Sequence, residues 1–436
     1  MFRELKYTLR LSAPIAVGLI GQGLFGVIDT VMIGNILGEH ALAAATLGNN
    51  VNWIPLVVAM GLCVALPVLT AQARGAGTPE KIPGVLRHGL LVALGFALLG
   101  AGALCAFALA DGLTTLGQPE SVSADAKNFC CIVALSLPAA AGFQAVKSFR
   151  DASGGQWVSL TWTLIGLAAN VFLNWVLMTG ALGFPNWGLE GAAAGTLIAR
   201  VFAFAGIALH GRLRLELARG FSLRELRENL RIAVPSALHI LFEAGLFIVS
   251  PFFMGWISEA SIAANQVVIT ISSLVYMVPL GISQALSIRV GEAFGNGDRE
   301  RIRRIFAGAT LFTLALMCVA GAGVLAFLDA IPAAFNLGAE AAEIARAILI
   351  VAVAYMLFDA FQTVASGALR GLGDVRVIAV GAFVSYWIIG CPTALILAFP
   401  LELRGVGVWI GLASGLASIA VILGARMHKN LSRERS

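Results

Sequence analysis

The sequence predicts an all-α polytopic membrane protein with twelve transmembrane helices in two pseudo-symmetric six-helix lobes. Three observations support this prediction. Of the 436 residues, 59% are hydrophobic and only 12% are charged, whereas soluble domains carry about 25% charged residues. The apolar residues form long runs, and the second half of the chain repeats the first half.

Each predicted segment is long enough to cross the hydrocarbon core of a bilayer, which takes about 20 helical residues. We number the segments 1 to 12 in chain order. They cover residues 9–33, 42–73, 85–110, 128–147, 158–181, 189–211, 229–257, 261–289, 305–328, 341–369, 375–399 and 405–425.

Basic residues concentrate in alternate loops. One side of the membrane takes all of the 29 Lys and Arg residues except Lys127, Arg200, Arg346 and Arg404. Cytoplasmic loops carry an excess of basic residues, so we predict a multi-pass protein of the cytoplasmic (inner) membrane with both termini in the cytoplasm. The positive charge therefore reflects topology, and we expect no nucleic-acid partner.

The internal repeat pairs prolines, glycines and amides in the same order in both halves. Residues 10–34 align with 231–255, which pairs Pro14 with Pro235, and residues 58–82 align with 278–302. Further pairs are Phe143-Gln144 with Phe361-Gln362, and Gly191-xxx-Gly195 with Gly407-xxx-Gly411. Because each half holds an even number of segments, both halves insert in the same orientation, and transporters often bind substrate and ions near the midplane of such repeats.

The repeat sets the predicted domain boundaries. Residues 1–211 form the N-terminal lobe, and residues 232–436 form the C-terminal lobe with a cytoplasmic tail. Between them, residues 212–231 form a basic cytoplasmic linker, whose second part, FSLRELRENLRIAV, is predicted to be an amphipathic helix leading into segment 7.

Three carboxylates lie well inside predicted spans: Asp29, Glu243 and Asp359. A charge at bilayer depth costs about 3 kcal/mol on insertion scales and marks a functional site by default. Helical spacing places Tyr355 and Gln362 one turn from Asp359, and His239 one turn from Glu243. The other polar residues within spans that we consider are Gln22, Asn170, Asn174, Gln266 and Thr270.

The acids are not duplicated by the repeat. Glu243 aligns with Gln22, Asp29 aligns with Ser250, and Asp359 aligns near Ala141. The two lobes therefore have different tasks. The C-terminal lobe holds a carboxylate pair, and the N-terminal lobe holds one acid beside Asn170 and Asn174.

Two acids with a Tyr or Thr oxygen make a hard-oxygen site that fits Na⁺. A proton serves as well, because burial and close pairing favour the protonated form of a carboxyl group. The alternative is that the acids only hydrogen-bond to neighbouring helices, that His239 bonds a carbonyl, and that the asparagines join helices. Beyond a possible Na⁺ at Glu243 and Asp359 we predict no metal, no cofactor and no disulfide framework.

The motifs together resemble the multidrug and toxic compound extrusion (MATE) family, in its NorM-like branch. The resemblance covers nearly the whole chain. It rests on APIAVGLIGQ and IDTVMIG in segment 1, FEAG around Glu243, NQVVITISSLVYMVPLGISQALSIRVGEAFG in segment 8, and YMLFDAFQ with RGLGD after segment 10.

The resemblance implies two lobes around a central cleft and alternating access. It also implies export of amphipathic organic cations, such as drugs or dyes, in exchange for Na⁺ or H⁺. Glu243, Asp359 and Tyr355 match the family's C-lobe cation site, and Asp29 matches its N-lobe acid. Where Na⁺-coupled relatives often show Gln-xxx-Asn in segment 8, this chain has Gln266 and Thr270, and a hydroxyl is a weaker ligand than an amide carbonyl.

Three other functions are considered. An intramembrane aspartyl protease is suggested by GLGD at Gly371–Asp374, but this turn lies between arginines outside the apolar core, so we expect no enzyme and no catalytic residues. A flippase for lipid-linked saccharides would carry anionic cargo and need cations inside the spans, where the sequence shows almost only Arg200. A channel needs rings of identical residues, and a monomeric pseudo-dimer suits a carrier better.

Overall fold

The computed structural model describes residues 2–116, 120–210 and 220–432. Within these residues the structure contains helices and no strand. Residues 212–219 of the predicted linker lie outside the described residues. The α-helices are α1 Phe2–Leu37, α2 Glu39–Leu62, α3 Ala65–Gly75, α4 Ile82–Leu109, α5 Glu120–Leu135, α6 Leu137–Ala152, α7 Gln156–Thr179, α8 Gly188–Leu209, α9 Leu223–Gly255, α10 Glu259–Gly295, α11 Arg299–Ala326, α12 Ala330–Ala334, α13 Ala339–Gly371, α14 Val375–Ala382, α15 Cys391–Ala398 and α16 Arg404–Ser432.

Short helical turns of other types complete the described chain. They are the 3₁₀ turns Pro79–Lys81, Thr114–Leu116 and Ala181–Gly183 and the π-helix Phe383–Gly390. The described residues form 12 helical spans that are long and apolar enough to cross a membrane. Each predicted segment coincides with one of them, so the predicted all-α polytopic class and the twelve spans are confirmed.

Two spans are interrupted where proline prevents a regular helix. The break between α2 and α3 lies at Cys63, four residues before Pro67, and the break between α5 and α6 lies at Ser136, two residues before Pro138. Proline lacks the N–H of the i to i−4 bond, and its ring clashes with the carbonyl four residues earlier. The chain therefore bends inside spans 2 and 4.

Span 11 changes its helix type at its centre. Between α14 and α15 the backbone forms the π-helix, and the Cys391 N–H donates to the carbonyl of Tyr386, five residues earlier. Gly390 lies close to Gly415 of α16, so the wider π turn packs against a surface that lacks side chains. The sequence did not predict this turn, which directs Tyr386 towards the candidate site described below.

The Gly-xxx-Gly pairs of the repeat perform the same packing task in both halves. A Cβ atom added at Gly191 would collide with the Leu177 carbonyl of α7, and one added at Gly407 would collide with Leu397 of α15. Gly411 meets Ala394 in the same way. Small residues let membrane helices approach closely, so α8 on α7 and α16 on α15 are equivalent contacts.

The chain divides into two compact units. One contains the chain up to Ala16, residues 74–77 and residues 238–436, and the other contains residues 17–73 and 78–237. The division falls inside the continuous helices α1 and α9. The residues of the linker that were predicted to be an amphipathic helix are helical from Leu223 onwards, as the first turns of α9.

Candidate functional site

Two carboxylates of the C-terminal half meet at a single amide. The Gln362 Nε2 donates to Glu243 Oε1 at 2.9 Å and lies 3.3 Å from Asp359 Oδ1. It also lies 3.3 Å from Thr363 Oγ1. We call Glu243, Asp359, Gln362 and Thr363 the C-terminal cluster. The cluster brings together three residues that the sequence selected, and it adds Thr363.

Close packing fixes the helix that carries most of this cluster. The Ser283 hydroxyl of α10 donates to the Thr363 carbonyl of α13 at 2.6 Å. One turn further on, Gly367 faces the Ser283 carbonyl so closely that a Cβ atom would lie 2.5 Å from it. The Ser366 hydroxyl donates to the Gln362 carbonyl at 2.7 Å. Helices α10 and α13 therefore hold Gln362 in a defined position.

A small cavity lies beside Glu243. It is lined by Glu243, Leu246, Phe247, Tyr355, Tyr386, Leu412 and Leu416. Tyr355 is buried, and its ring packs edge-on against Trp409 at 5.3 Å and Phe247 at 6.3 Å between centroids. The predicted neighbour Tyr355 thus faces the same space as Glu243, and Tyr386 from the π-helix joins it.

Sequence reasoning missed Tyr276 of α10. Its side chain hydrogen-bonds to Thr363 and interacts electrostatically with Glu243 and Asp359. No spacing in segment 8 distinguishes Tyr276, because only the packing of α10 on α13 brings it to the acids.

His239 contacts a cation that the sequence assigned to a cytoplasmic loop. The Arg370 Nη2 lies 3.0 Å from His239 Nδ1, and both side chains are buried, with 8% and 1% exposed. Arg370 also interacts electrostatically with Glu243. Arg370 occupies the last turn of α13 and faces inward, so it belongs to the surroundings of the cluster.

Two predicted residues of segment 8 remain apart from the cluster's hydrogen bonds. The Thr270 hydroxyl donates to the Gln266 carbonyl of its own helix at 2.7 Å, and the Gln266 side chain is exposed. Among the described residues, Thr270 makes no hydrogen bond to Glu243 or Asp359. Within a helix, a Thr hydroxyl commonly bonds back to the backbone carbonyl four residues earlier.

The N-terminal half holds its own buried polar group. Asp29 is 9% exposed and accepts hydrogen bonds from Asn174 Nδ2 at 2.6 Å and Thr196 Oγ1 at 3.2 Å. The Asn170 Nδ2 donates to Thr196 Oγ1 at 3.2 Å. We call Asp29, Asn170, Asn174 and Thr196 the N-terminal cluster. The predicted acid and two asparagines do meet, and Gly195 leaves the space that Asn174 fills.

Thr196 and Arg200 of α8 were not selected as site residues from the sequence. Arg200 interacts electrostatically with Asp29, and its Nη1 donates to Ser136 Oγ at 2.7 Å. The four-residue spacing of Thr196 and Arg200 on one helical face is the signal that could have found them.

The repeat extends to individual hydrogen bonds. The Gln22 Nε2 donates to Gln144 Oε1 at 3.0 Å, at the positions that align with Glu243 and Gln362. The Gln144 Nε2 lies 3.3 Å from Ser148 Oγ, as Ser366 lies 3.3 Å from Gln362 Oε1. The N-terminal half thus keeps the geometry of the C-terminal cluster with an amide in place of the acid.

The expectation that Arg200 is nearly the only cation inside the spans is wrong. Lys147 and Arg289 are also buried, with 1% and 4% exposed. The Lys147 Nζ donates to Asp151 at 3.0 Å, and Arg289 bonds the Glu4 carboxylate. The sequence did not predict that these two cations are buried. They lie near segment ends, where the sequence alone does not distinguish a loop from a buried helical turn.

The Asp374 carboxylate, which suggested a protease, anchors the last helix. It accepts hydrogen bonds from Arg426 Nε at 2.6 Å and from Asn430 Nδ2 at 3.0 Å. Both donors lie on α16, so these hydrogen bonds give Asp374 a structural role.

Twelve apolar spans in two repeated halves define a polytopic membrane transporter. The sequence model of the MatE family matches residues 14–176 and 235–396, and the two matches begin at Pro14 and Pro235, which the repeat aligns. The chain belongs to the MatE family.

Two similar curated proteins are named as NorM multidrug resistance proteins. "Multidrug resistance protein NorM" of Burkholderia vietnamiensis is 33% identical over 441 residues, which cover 98% of this chain and 94% of that protein. "Probable multidrug resistance protein NorM" of Burkholderia pseudomallei is 33% identical over 439 residues, which cover 98% of this chain and 93% of that protein.

Solved structures share the fold at lower identity. The eukaryotic MATE transporter AtDTX14 superposes with a TM-score of 0.88 at 23% identity, over 99% of this chain and 98% of that chain. A MATE structure in the bent conformation superposes with a TM-score of 0.89 at 20% identity, over 99% of this chain and 96% of that chain.

Proposed function

We propose that the protein is a multidrug efflux antiporter that exports amphipathic organic cations in exchange for Na⁺ or H⁺ by alternating access. The observation that carries this proposal is the C-terminal cluster, where the Gln362 amide holds Glu243 and Asp359 together. The aligned pair in the other half, Gln22 and Gln144, is neutral. The acid at position 243 therefore belongs to the C-terminal cluster and is not required by the repeated fold.

The cluster suits reversible binding of a small cation. Two carboxylates that share one donor repel each other, and a cation or a proton relieves this repulsion. Carboxylate, amide and phenol oxygens are hard ligands of the kind that Na⁺ accepts. Glu243 and Asp359 would bind the ion directly, and Tyr355 would add an oxygen or its ring face across the cavity.

The other predicted residues keep secondary roles in the proposal. Asp29, held by Asn170 and Asn174, is the candidate cation site of the N-terminal half. Thr270 would need to exchange its bond to Gln266 for a bond to the ion. His239 would act by holding the side chain of Arg370 in place.

Coupling follows from linkage between two conformations. An ion can shift an equilibrium only by its differential affinity for the two states. We propose that ion binding at the C-terminal cluster favours the state that releases the drug. Drug binding favours the state that releases the ion.

Cationic cargo is supported by how the buried charges are arranged. Among the described residues, Lys147, Arg200, Arg289 and Arg370 each contact an anionic or polar partner. An anionic cargo would require cations that are free to bind it. Relatives that share 33% identity are named multidrug resistance proteins, which agrees with the export of drugs.

The proposal includes the setting of the protein. We propose a monomer in the cytoplasmic (inner) membrane, with both termini in the cytoplasm and without enzymatic activity. The predicted lobes, 1–211 and 232–436, are its two working halves.

Efflux of ethidium, a cationic dye, from proteoliposomes tests the proposal. The vesicles are loaded with dye and exposed in turn to an inward Na⁺ gradient, an inward proton gradient, or neither. We expect one gradient to accelerate efflux at least tenfold over protein-free vesicles. Efflux that responds to neither gradient contradicts the antiporter, and dye-independent transfer of lipid between leaflets would favour the flippase.

A further inference from the structure

Arg370 lies about three helical turns after Asp359 on α13 and is 8% exposed. Its Nη2 lies 3.0 Å from His239 Nδ1, and it interacts electrostatically with Glu243. A guanidinium group stays protonated in proteins. A permanent positive charge therefore interacts with Glu243 and lies on the same helix as Asp359, about three turns away.

The contact with Arg370 fixes the charge of His239. A guanidinium has no acceptor, so the His239 Nδ1 must accept the hydrogen bond. An imidazolium has no free acceptor nitrogen, and His239 is therefore neutral with its proton on Nε2. His239 thus adds no charge, and its hydrogen bond orients the Arg370 side chain.

The described groups around the cluster can now be counted by charge. Glu243 and Asp359 contribute two negative charges when both are ionised, and Arg370 contributes one positive charge. The phenols that interact electrostatically with the acids are uncharged near pH 7. These are Tyr276, Tyr355 and Tyr386. One negative charge is left without compensation.

The same count in the N-terminal cluster gives a different result. Asp29 is the acid of that cluster, and Arg200 interacts with it electrostatically. Asn170, Asn174 and Thr196 are neutral. One acid and one guanidinium balance, so this cluster carries no net charge when both groups are ionised.

We propose that Arg370, positioned by His239, is a built-in counter-ion that limits the C-terminal cluster to one monovalent coupling cation per transport cycle. The inference rests on the proposed antiport and makes it quantitative. Exchange of one coupling cation for one singly charged drug moves no net charge.

The experiment measures how membrane potential changes the equilibrium ethidium ratio across proteoliposomes at a fixed coupling-ion gradient. Potassium and valinomycin set the potential, and protein-free vesicles give the leak. The wild-type ratio should not change with potential. In Arg370→Gln, two cations should exchange for one ethidium, so the ratio should change tenfold for each 59 mV or so, as expected for one net charge.

Three further variants separate the effect of charge from the effect of side-chain shape. Arg370→Lys keeps the positive charge, and its ethidium ratio should stay independent of potential at whatever rate it works. Glu243→Gln leaves one acid and one guanidinium in the charge count, with no net charge, and should lose coupling. The double variant Glu243→Gln/Arg370→Gln has one uncompensated acid again, so coupled, potential-independent exchange should return.

Each outcome decides the inference. It is overturned if the wild-type ratio follows the potential, if Arg370→Gln stays independent of it, if Arg370→Lys becomes dependent, or if the double variant stays uncoupled. If Arg370→Gln does not fold, the wild-type protein and Arg370→Lys, which do not contain that change, still decide. A wild-type protein that no ion gradient drives would instead overturn the antiport itself.

Discussion

At the scale of single residues, the Gln362 amide connects the two acids of the C-terminal cluster. It donates to Glu243 at 2.9 Å and approaches Asp359 at 3.3 Å. Hydrogen bonds to charged groups contribute about 1.5–3 kcal/mol. Because this donor favours the ionised, ion-free acids, it weakens ion binding and speeds ion release.

Replacing Gln362 with Leu should therefore tighten ion binding and slow turnover. We expect the half-saturating concentration of the coupling ion to fall about tenfold, since about 1.4 kcal/mol corresponds to a factor of ten. Ethidium efflux at varied ion concentration measures this value. Gln144→Leu is the control, because it is the aligned change in the half that has no acid at this hydrogen bond. An equal shift in both variants would contradict the role of Gln362.

The sequence identified the acids but not all of their partners. The free-energy cost of a charge inside the membrane is enough to identify Glu243 and Asp359, because this cost is high for any orientation of the side chain. Arg370 could not be identified in this way, since it lies next to the RGLGD turn, where an arginine normally reaches water. Only the contact between Arg370 of α13 and His239 of α9 shows that this side chain turns inward.

At the scale of helices, glycines decide how closely the site's elements approach. Gly195 of α8 leaves the space that the Asn174 amide needs to reach Asp29. An added methyl group in a packed interior costs about 1–3 kcal/mol. The geometry of the N-terminal cluster therefore depends on a residue that has no side chain.

Gly195→Ala should displace Asn174 and lower the thermal midpoint of the detergent-solubilised protein by several degrees. Size-exclusion profiles after heating measure the midpoint. Gly23→Ala is the matched control, because a Cβ atom there meets no atom within 4 Å. A midpoint for Gly195→Ala equal to that of the control would show that Asn174 does not require the space.

The sequence predicted the helices better than their irregularities. Apolar length was sufficient for the spans, and the Gly-xxx-Gly pairs identified equivalent positions in the two halves. The π-helix Phe383–Gly390 was not foreseen. It depends on a contact between Gly390 and Gly415, which lie in different spans, and no local pattern encodes that contact.

At the scale of the whole molecule, basic residues predict the orientation of the chain. The predicted cytoplasmic side includes the N-terminus and the tail, whereas the turn at Asp111 lies on the other side. A green fluorescent protein fused to the C-terminus should fluoresce, and alkaline phosphatase fused at Asp111 should be active. An active phosphatase at the C-terminus would reverse the predicted topology.

The repeat also explains which part of the molecule couples ions. Both halves keep the same bond between α1 or α9 and the span that carries Gln144 or Gln362. Only the C-terminal half has an acid at this bond. The hydrogen bond is present in both halves, but the acid is present in one. This indicates that the repeated helices serve the conformational change and that the acids bind the ion.

The central claim is that ion coupling belongs to Glu243 and not to its aligned position Gln22. Gradient-driven ethidium efflux in proteoliposomes tests it most directly, with Glu243→Gln and Gln22→Leu compared at equal protein content. The account predicts that Glu243→Gln lowers the gradient-driven rate at least tenfold, whereas Gln22→Leu keeps it within about fivefold, since only a neutral hydrogen bond of about 1 kcal/mol is lost. Full gradient-driven efflux in Glu243→Gln would contradict the account.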